Sequence, residues 1–419
     1  MGNILLFLLG MRDNLGVLIG GMPLRFGELA MVLFSFMVLL KHVRRPNSKA
    51  LSYAIFFMTV HLIVCIVSVF LSGDVQVAYV AKYLLRCVIV ISFLIAVNHV
   101  NVDRLSFDFD KCMKYIVVVL FCSFLLEQLG YWVWLCSIQE YSGHGFMGIN
   151  RFSGTASEPG YFLEVVIIPF YYYLKKNNRI MVAITSMFAF LTFSVGVYAG
   201  ILLLLLIDKY VELRETNRIV LKKESMRWIL IIVPILFAVS ASSYKVILDG
   251  IYQKAIAFIS GESTSDYSTM VRTQISTVAV DAIKSFNCEQ WLFGKGLGGF
   301  YSYSERLYSQ GLLFHFGESP DNAYLGIMYD SGILGLCTYL MVLFLAFKQK
   351  PKSIEAKSIY CAMVVSCLHN FILSGMWLYM IWVEMGLLYI INIKDKKRLE
   401  GLWPIHHLMN ITKLKTGQI

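Results

Sequence analysis

Twelve apolar runs, most about the length of a membrane span and many separated by short basic connections, constrain this chain more than any other feature. They cover about residues 4–20, 24–40, 51–71, 77–97, 115–135, 158–174, 180–194, 196–207, 228–244, 322–347, 358–373 and 377–393. A helix needs about 20 apolar residues to cross the hydrocarbon core of a bilayer. A water-soluble globule carries roughly 25% charged side chains, whereas these 419 residues are 15% charged and 58% apolar. The sequence therefore predicts an all-α polytopic membrane protein with about twelve transmembrane helices.

Charge placement sets the expected orientation. With the N-terminus inside, 26 of the 37 Lys and Arg fall in the even-numbered connections and at the ends, among them KHVRRPNSK, KKNNR, residues 208–227, KQKPKSIEAK and the tail beginning KDKKR. Seven lie in outer loops, and Arg12, Arg25, Lys82 and Arg86 lie within or beside spans. Basic residues in short loops mark the cytoplasmic side, so both termini are expected there, and the net charge of +10 is no signal for nucleic acid. The first run lacks a basic start and a small-residue cleavage site and reads as a span, not a removable signal. Residues 180–207 read as two spans, with a turn at 194–196.

The expected organisation is spans one to nine over 1–244 with a short outer loop at 136–157, a large outer loop at 245–321, spans ten to twelve over 322–393, and a cytoplasmic tail at 394–419. The large loop has 77 residues, six basic and eight acidic side chains, and clusters such as FYSYSERLYSQGLLFHF. Helix-compatible stretches around 268–286 make it a folded, partly helical cap.

Nine cysteines sit at 65, 87, 112, 122, 136, 288, 337, 361 and 367, mostly inside spans. Cys136 and Cys288 face outward and could pair, but apolar packing accounts for the set more simply. No metal or haem signature, phosphate loop, dinucleotide fingerprint or Gly-x-Ser-x-Gly occurs, so no cofactor is expected and an ATP-driven pump or serine hydrolase has no support.

Three outward clusters could carry chemistry. In INRFSGTASEPGYFLEV, Arg151 and Glu158 precede the sixth span, with Ser157 as N-cap and Pro159 in the first turn. This is either an anion site at a helix start or a carboxylate complementing the helix dipole, with the arginine paired to it or to lipid phosphate. In the large loop, Arg272 opens an amphipathic stretch, and GKGLGGF follows as a turn whose glycines allow close backbone approach to a ligand. In FHFGESPDNAYLGIMYDSGILGLCTYL, the residues His315, Glu318, Asp321 and Asn322 gather at the mouth of the tenth span. They offer either a general base close to the lipid surface or a polar helix cap. Lys82 and Arg86, one turn apart in the fourth span, either pair with Glu127 or Glu164 or extend an anion site inward. His369 and Asn370, in the eleventh span, read as a buried polar pair.

The order of these segments resembles the O-antigen and capsular polysaccharide polymerases of bacteria (the Wzy group), relatives of the O-antigen ligases. The resemblance rests on residues 151–154 with Glu158 and Pro159, on Arg272, on Gly296 and Gly298, on Asp321, Asn322, Tyr324 and Leu325, and on residues 332–336. It implies a GT-C-like architecture in the bacterial cytoplasmic (inner) membrane and metal-independent glycosyl transfer on its outer face. Donor and acceptor would be undecaprenyl-diphosphate-linked glycans, with a chain-length regulator as partner. Arg151 and Arg272 would bind the diphosphate, with Arg306 and Arg86 as further candidates. Asp321 or His315 would take the acceptor proton, Asn322 would orient the base or a sugar, and Glu158 would hold an arginine or a hydroxyl. Trp291, Phe300, Tyr301 and Tyr303 offer stacking faces. Ligases have His-Asn where this chain has Asp-Asn, which favours the polymerase. An O-antigen ligase and a lipid-linked glycan flippase are the rival readings.

Overall fold

The structure, a computed structural model, describes residues 2–11, 16–19, 22–41, 45–72, 76–129, 145–146, 149–150, 152–156, 159–216, 267–313, 320, 322–371 and 379–415. At 16–19, 22–24, 41, 128, 145–146, 149–150, 195, 213–216, 267–270, 272–273 and 399–415 the description is of the backbone alone.

Helices dominate: α1 (Gly2–Leu8), α2 (Phe26–Lys41), α3 (Lys49–Leu71), α4 (Val77–His99), α5 (Phe109–Gln128), α6 (Phe162–Lys175), α7 (Arg179–Leu191) and α8 (Val195–Thr216). After the undescribed stretch come α9 (Tyr267–Lys284), α10 (Cys288–Phe293), α11 (Gly299–Ser309), α12 (Ala323–Phe347), α13 (Ile354–His369) and α14 (Tyr379–Lys415). Among the described residues, α3, α4 and α12 are each long and apolar enough to cross a membrane. Several starts follow from one capping side chain. Ser48 accepts from Leu51 N–H, Asp108 from Lys111 N–H, Asn178 from Met181 N–H and Ser353 from Ala356 N–H, each satisfying a donor that the first helical turn leaves open.

The chain departs from the expected pattern in several places. Among the described residues two short antiparallel strand pairs interrupt the helices, β1 (Gly16–Ile19) with β2 (Met22–Arg25), and β3 (Gly145–Phe146) with β4 (Ile149–Asn150). The first apolar run is therefore not one helix: α1 stops at Leu8, and residues 16–19 of the run form strand β1. Between the paired Ile19 and Met22 the sequence is Gly20-Gly21, the composition a two-residue hairpin loop favours. The fifth helix begins six residues earlier than its apolar run because Asp108 caps it. At the sixth, Pro159 opens a 3-10 turn, Pro159–Tyr161, and the α-helix starts at Phe162. Residues 180–207 do form two helices, broken at 192–194 where Phe193 takes φ 45°. The last helix runs on through the basic tail to Lys415, since Lys, Arg and Glu are good helix formers. The ninth run, 228–244, lies outside the described residues.

The main core joins α1 to α8 and α12 to α14. A second core belongs to the large loop: Val271, Ile275, Ala279, Ala282 and Ile283 line one face of α9 and meet Phe286, Phe300 of α11, and Met328 and Tyr329 of α12. Spacings of three and four residues put those α9 side chains on one stripe, so the described part of the loop packs on the first half of α12.

Candidate functional site at the end of helix α3

Helix α10 is set by a capping box. Asn287 Oδ1 accepts from Gln290 N–H at 2.8 Å and Gln290 Oε1 accepts from Asn287 N–H at 3.2 Å. The chain then turns through Gly294, Gly296 and Gly298, all at positive φ. This turn lies on α12 where that helix breaks. Gly332 has φ 63° and ψ −167°, which removes the helical partners of the preceding carbonyls. The turn supplies replacements: Lys295 N–H donates to Tyr329 O at 2.8 Å and Gly296 N–H to Asp330 O at 3.1 Å. Helix α3 secures the other side, with Ser68 Oγ donating to Asp330 O and Ser72 Oγ to Lys295 O, each at 2.5 Å.

These elements enclose a pocket of about 290 Å³ lined by Leu71, Ser72, Gln290, Gly294, Lys295, Gly299, Tyr303, Arg306 and Tyr329. Both of its cations face the same ring: Lys295 Nζ is 5.8 Å and Arg306 Cζ 5.5 Å from the Tyr303 centroid. Lys295 also lies 5.4 Å from the Phe286 ring and 5.9 Å from that of Tyr329. Neither cation makes an ion pair among the described residues. Partial burial, and then the charge of Arg306, lower the Lys295 pKa from the ordinary lysine value. Chemically, the site can take an anion and stack a flat ring.

A second polar cluster lies at the mouth of α12. Asn322 caps that helix, accepting from Tyr324 N–H at 3.0 Å and Leu325 N–H at 3.1 Å. The end of α13 docks beside it. Ala323 N–H donates to Asn370 O at 2.9 Å, Tyr324 Oη–H donates to Cys367 O at 2.6 Å, and the Tyr324 and Phe371 rings are 4.3 Å apart. His369 Nδ1 stands 3.9 Å from Glu164 Oε1 of α6, and both are buried, as is Glu384 of α14. The segment 322–325 and the pair His369 and Asn370, remote in sequence, therefore share one site.

Of the residues singled out from sequence, Arg306 lines the pocket, Asn322 caps α12, and Arg272 falls on α9, described there by its backbone. Arg151, Glu158, His315, Glu318 and Asp321 lie outside the described residues. Arg86 donates its Nε–H to Glu28 Oε1 at 2.7 Å, so its partner is Glu28 of α2 and neither Glu127 nor Glu164. Glu127 instead accepts from Gly154 N–H at 2.9 Å and Ser153 Oγ–H at 3.1 Å, holding the segment that follows Arg151. Phe300 belongs to the loop core, while Tyr303 faces the pocket. Cys288 is an exposed free thiol, and Cys136 lies outside the described residues. Sequence reasoning missed Lys295, Gln290 and Tyr329; the one available signal was a lysine between two glycines of the turn.

The glycine turn, the break at Gly332 and the pocket's lining apart from Leu71 and Ser72 fall within one recognisable segment. Residues 180–340 match the O-antigen ligase family model (Wzy_C). Members of that family are membrane glycosyltransferase-like enzymes, and the match agrees with the resemblance drawn from the motifs. The search of curated proteins found no match.

Proposed function

We propose that this protein polymerises undecaprenyl-diphosphate-linked oligosaccharide repeat units into O-antigen or capsular polysaccharide on the outer face of the bacterial inner membrane. The observation that supports it most is the pocket of Lys295, Arg306 and Tyr303, built by the O-antigen ligase segment at the end of a helix able to span a bilayer.

In this reading the acceptor hydroxyl attacks the anomeric carbon of the donor sugar. The bond from that carbon to the diphosphate oxygen breaks, and the lipid diphosphate leaves with the electron pair. Arg151 and Arg272 neutralise the charge that grows on the leaving group, so their contacts strengthen in the transition state. Asp321 or His315 takes the hydroxyl proton, Glu158 holds an arginine or a sugar hydroxyl, and no metal is required. The twelve-span topology with both termini inside, and a chain-length regulator as partner, belong to the same proposal.

The family match itself favours a second reading, an O-antigen ligase that transfers the glycan to lipid A core. Deleting the gene and resolving surface polysaccharide by gel separates them. Loss of a polymerase leaves cores capped by a single repeat unit, whereas loss of a ligase leaves long chains stranded on the lipid carrier. Unchanged long-chain banding after deletion would overturn both.

A further inference from the structure

We infer that Lys295 and Arg306 hold an acidic sugar residue of the glycan, its carboxylate between the two cations and its ring on Tyr303. This rests on the glycosyl-transfer reading above and names the substrate class that the pocket selects.

Many cations elsewhere in the described residues have a carboxylate at hand: Arg86 with Glu28, Lys175 with Asp208, Lys284 with Asp281, Lys397 with Asp103. Among the described residues Lys295 and Arg306 have none, yet both lie over the Tyr303 ring, and the charge of Arg306 adds to burial in lowering the Lys295 pKa. Two like charges held together with no counter-charge among the described residues form a site that an anion stabilises.

The walls say what carries that anion. Tyr303 is half-buried at the pocket and is backed by the buried Tyr329, their centroids 6.1 Å apart and planes 28° from parallel, so its ring forms an apolar wall of the kind that meets the C–H face of a pyranose. Gln290 lends its Oε1 to Asn287 N–H and keeps its amide NH₂ as a donor toward a ring hydroxyl. A volume of about 290 Å³ is at the small end of ligand pockets, room for about one sugar ring. A bare diphosphate would use the cations and leave the aromatic wall and the amide without work.

The test uses the full-length protein in nanodiscs and three probes: a disaccharide with one uronic acid, its carboxyl-reduced counterpart, and inorganic diphosphate. Calorimetric titration should show the acidic disaccharide binding roughly 10-fold more tightly than the neutral one, the scale of one charge-assisted contact. Lys295→Gln and Arg306→Gln should each abolish that preference, Lys295→Arg should keep it, and Tyr303→Leu should weaken both disaccharides. The retained preference in Lys295→Arg separates loss of charge from misfolding. Equal binding of the two disaccharides overturns the inference, as does displacement of the acidic one by inorganic diphosphate, which would assign the cations to the lipid carrier. Either result leaves the polymerase reading standing if gene deletion still removes long chains; persistence of long chains would remove that reading instead.

Discussion

The backbones of Gly294 and Gly332 press against each other with no room for a side chain on either. A Cβ on Gly294 would sit 2.5 Å from Asp330 C and Ser331 N, and one on Gly332 would sit 2.4 Å from Leu292 O. Both also hold positive φ. Gly294→Ala and Gly332→Ala should each destabilise the protein by about 2–4 kcal/mol, steric conflict adding to backbone strain. Gly311→Ala, at φ 71° with open space around it, should cost only about 1 kcal/mol. Thermal unfolding in detergent, with limited proteolysis of the loop, checks the contrast.

The Arg86 and Glu28 pair is nearly buried, with side chains 14% and 3% exposed. Removing the cation alone strands a carboxylate in a poorly hydrated place, a loss of about 3–5 kcal/mol. Arg86→Met should therefore be severe, and Arg86→Met with Glu28→Gln much milder. A double-mutant cycle on melting temperature measures the difference; an additive cycle would show that the two side chains do not depend on each other.

Asn322 accepts two backbone N–H groups at the start of α12. If capping is its main role, Asn322→Ala should cost about 1 kcal/mol and lower the yield of long-chain polysaccharide, while Asn322→Asp and Asn322→Ser should restore most of it. Failure of both conservative variants in folded protein would give Asn322 a direct part in positioning substrate.

Because Lys295 has a lowered pKa and must be protonated to hold an anion, affinity for the acidic disaccharide should fall as pH rises through that lowered value, below the ordinary lysine range. Burial is the larger cause and persists in Arg306→Gln, but the charge repulsion is removed. The midpoint in that variant should therefore move to higher pH while affinity drops. Binding titrated across alkaline pH reads both effects.

Cys288 is exposed in the loop, and on the proposed topology it faces outward. A membrane-impermeant maleimide added to spheroplasts should label the protein, and Cys288→Ser should remove most of the labelling. Equal labelling only after lysis would put the loop on the inside.

Much of the helical pattern was legible because apolar runs and caps are local signals: Ser48, Asp108, Asn178 and Ser353 each announce a start within a few residues. The first run misled because hydropathy alone does not separate a helix from an apolar strand such as β1, Gly16–Ile19. At the site, Arg306 and Asn322 were visible as polar residues in an apolar chain. Lys295, Gln290 and Tyr329 were not, since their meeting depends on the glycine turn docking at a break in α12, a contact across some 30 residues of sequence that no periodicity encodes. The docking of Asn370 against Ala323 is hidden for the same reason.

The break at Gly332 also fixes a depth. Helix α12 after it, residues 333–347, amounts to about 22 Å of rise, short of the roughly 30 Å hydrocarbon layer. To cross, α12 must sink part of its first half into the layer as well, and on the proposed topology this would bring Tyr329, which lines the pocket with Leu71 and Ser72 at the end of α3, near the level of the lipid headgroups. On the proposed reading the pocket opens at the waterline, beside the point where a lipid-borne glycan leaves its hydrocarbon tail, and such a substrate would reach it by sliding within the membrane plane rather than by leaving it.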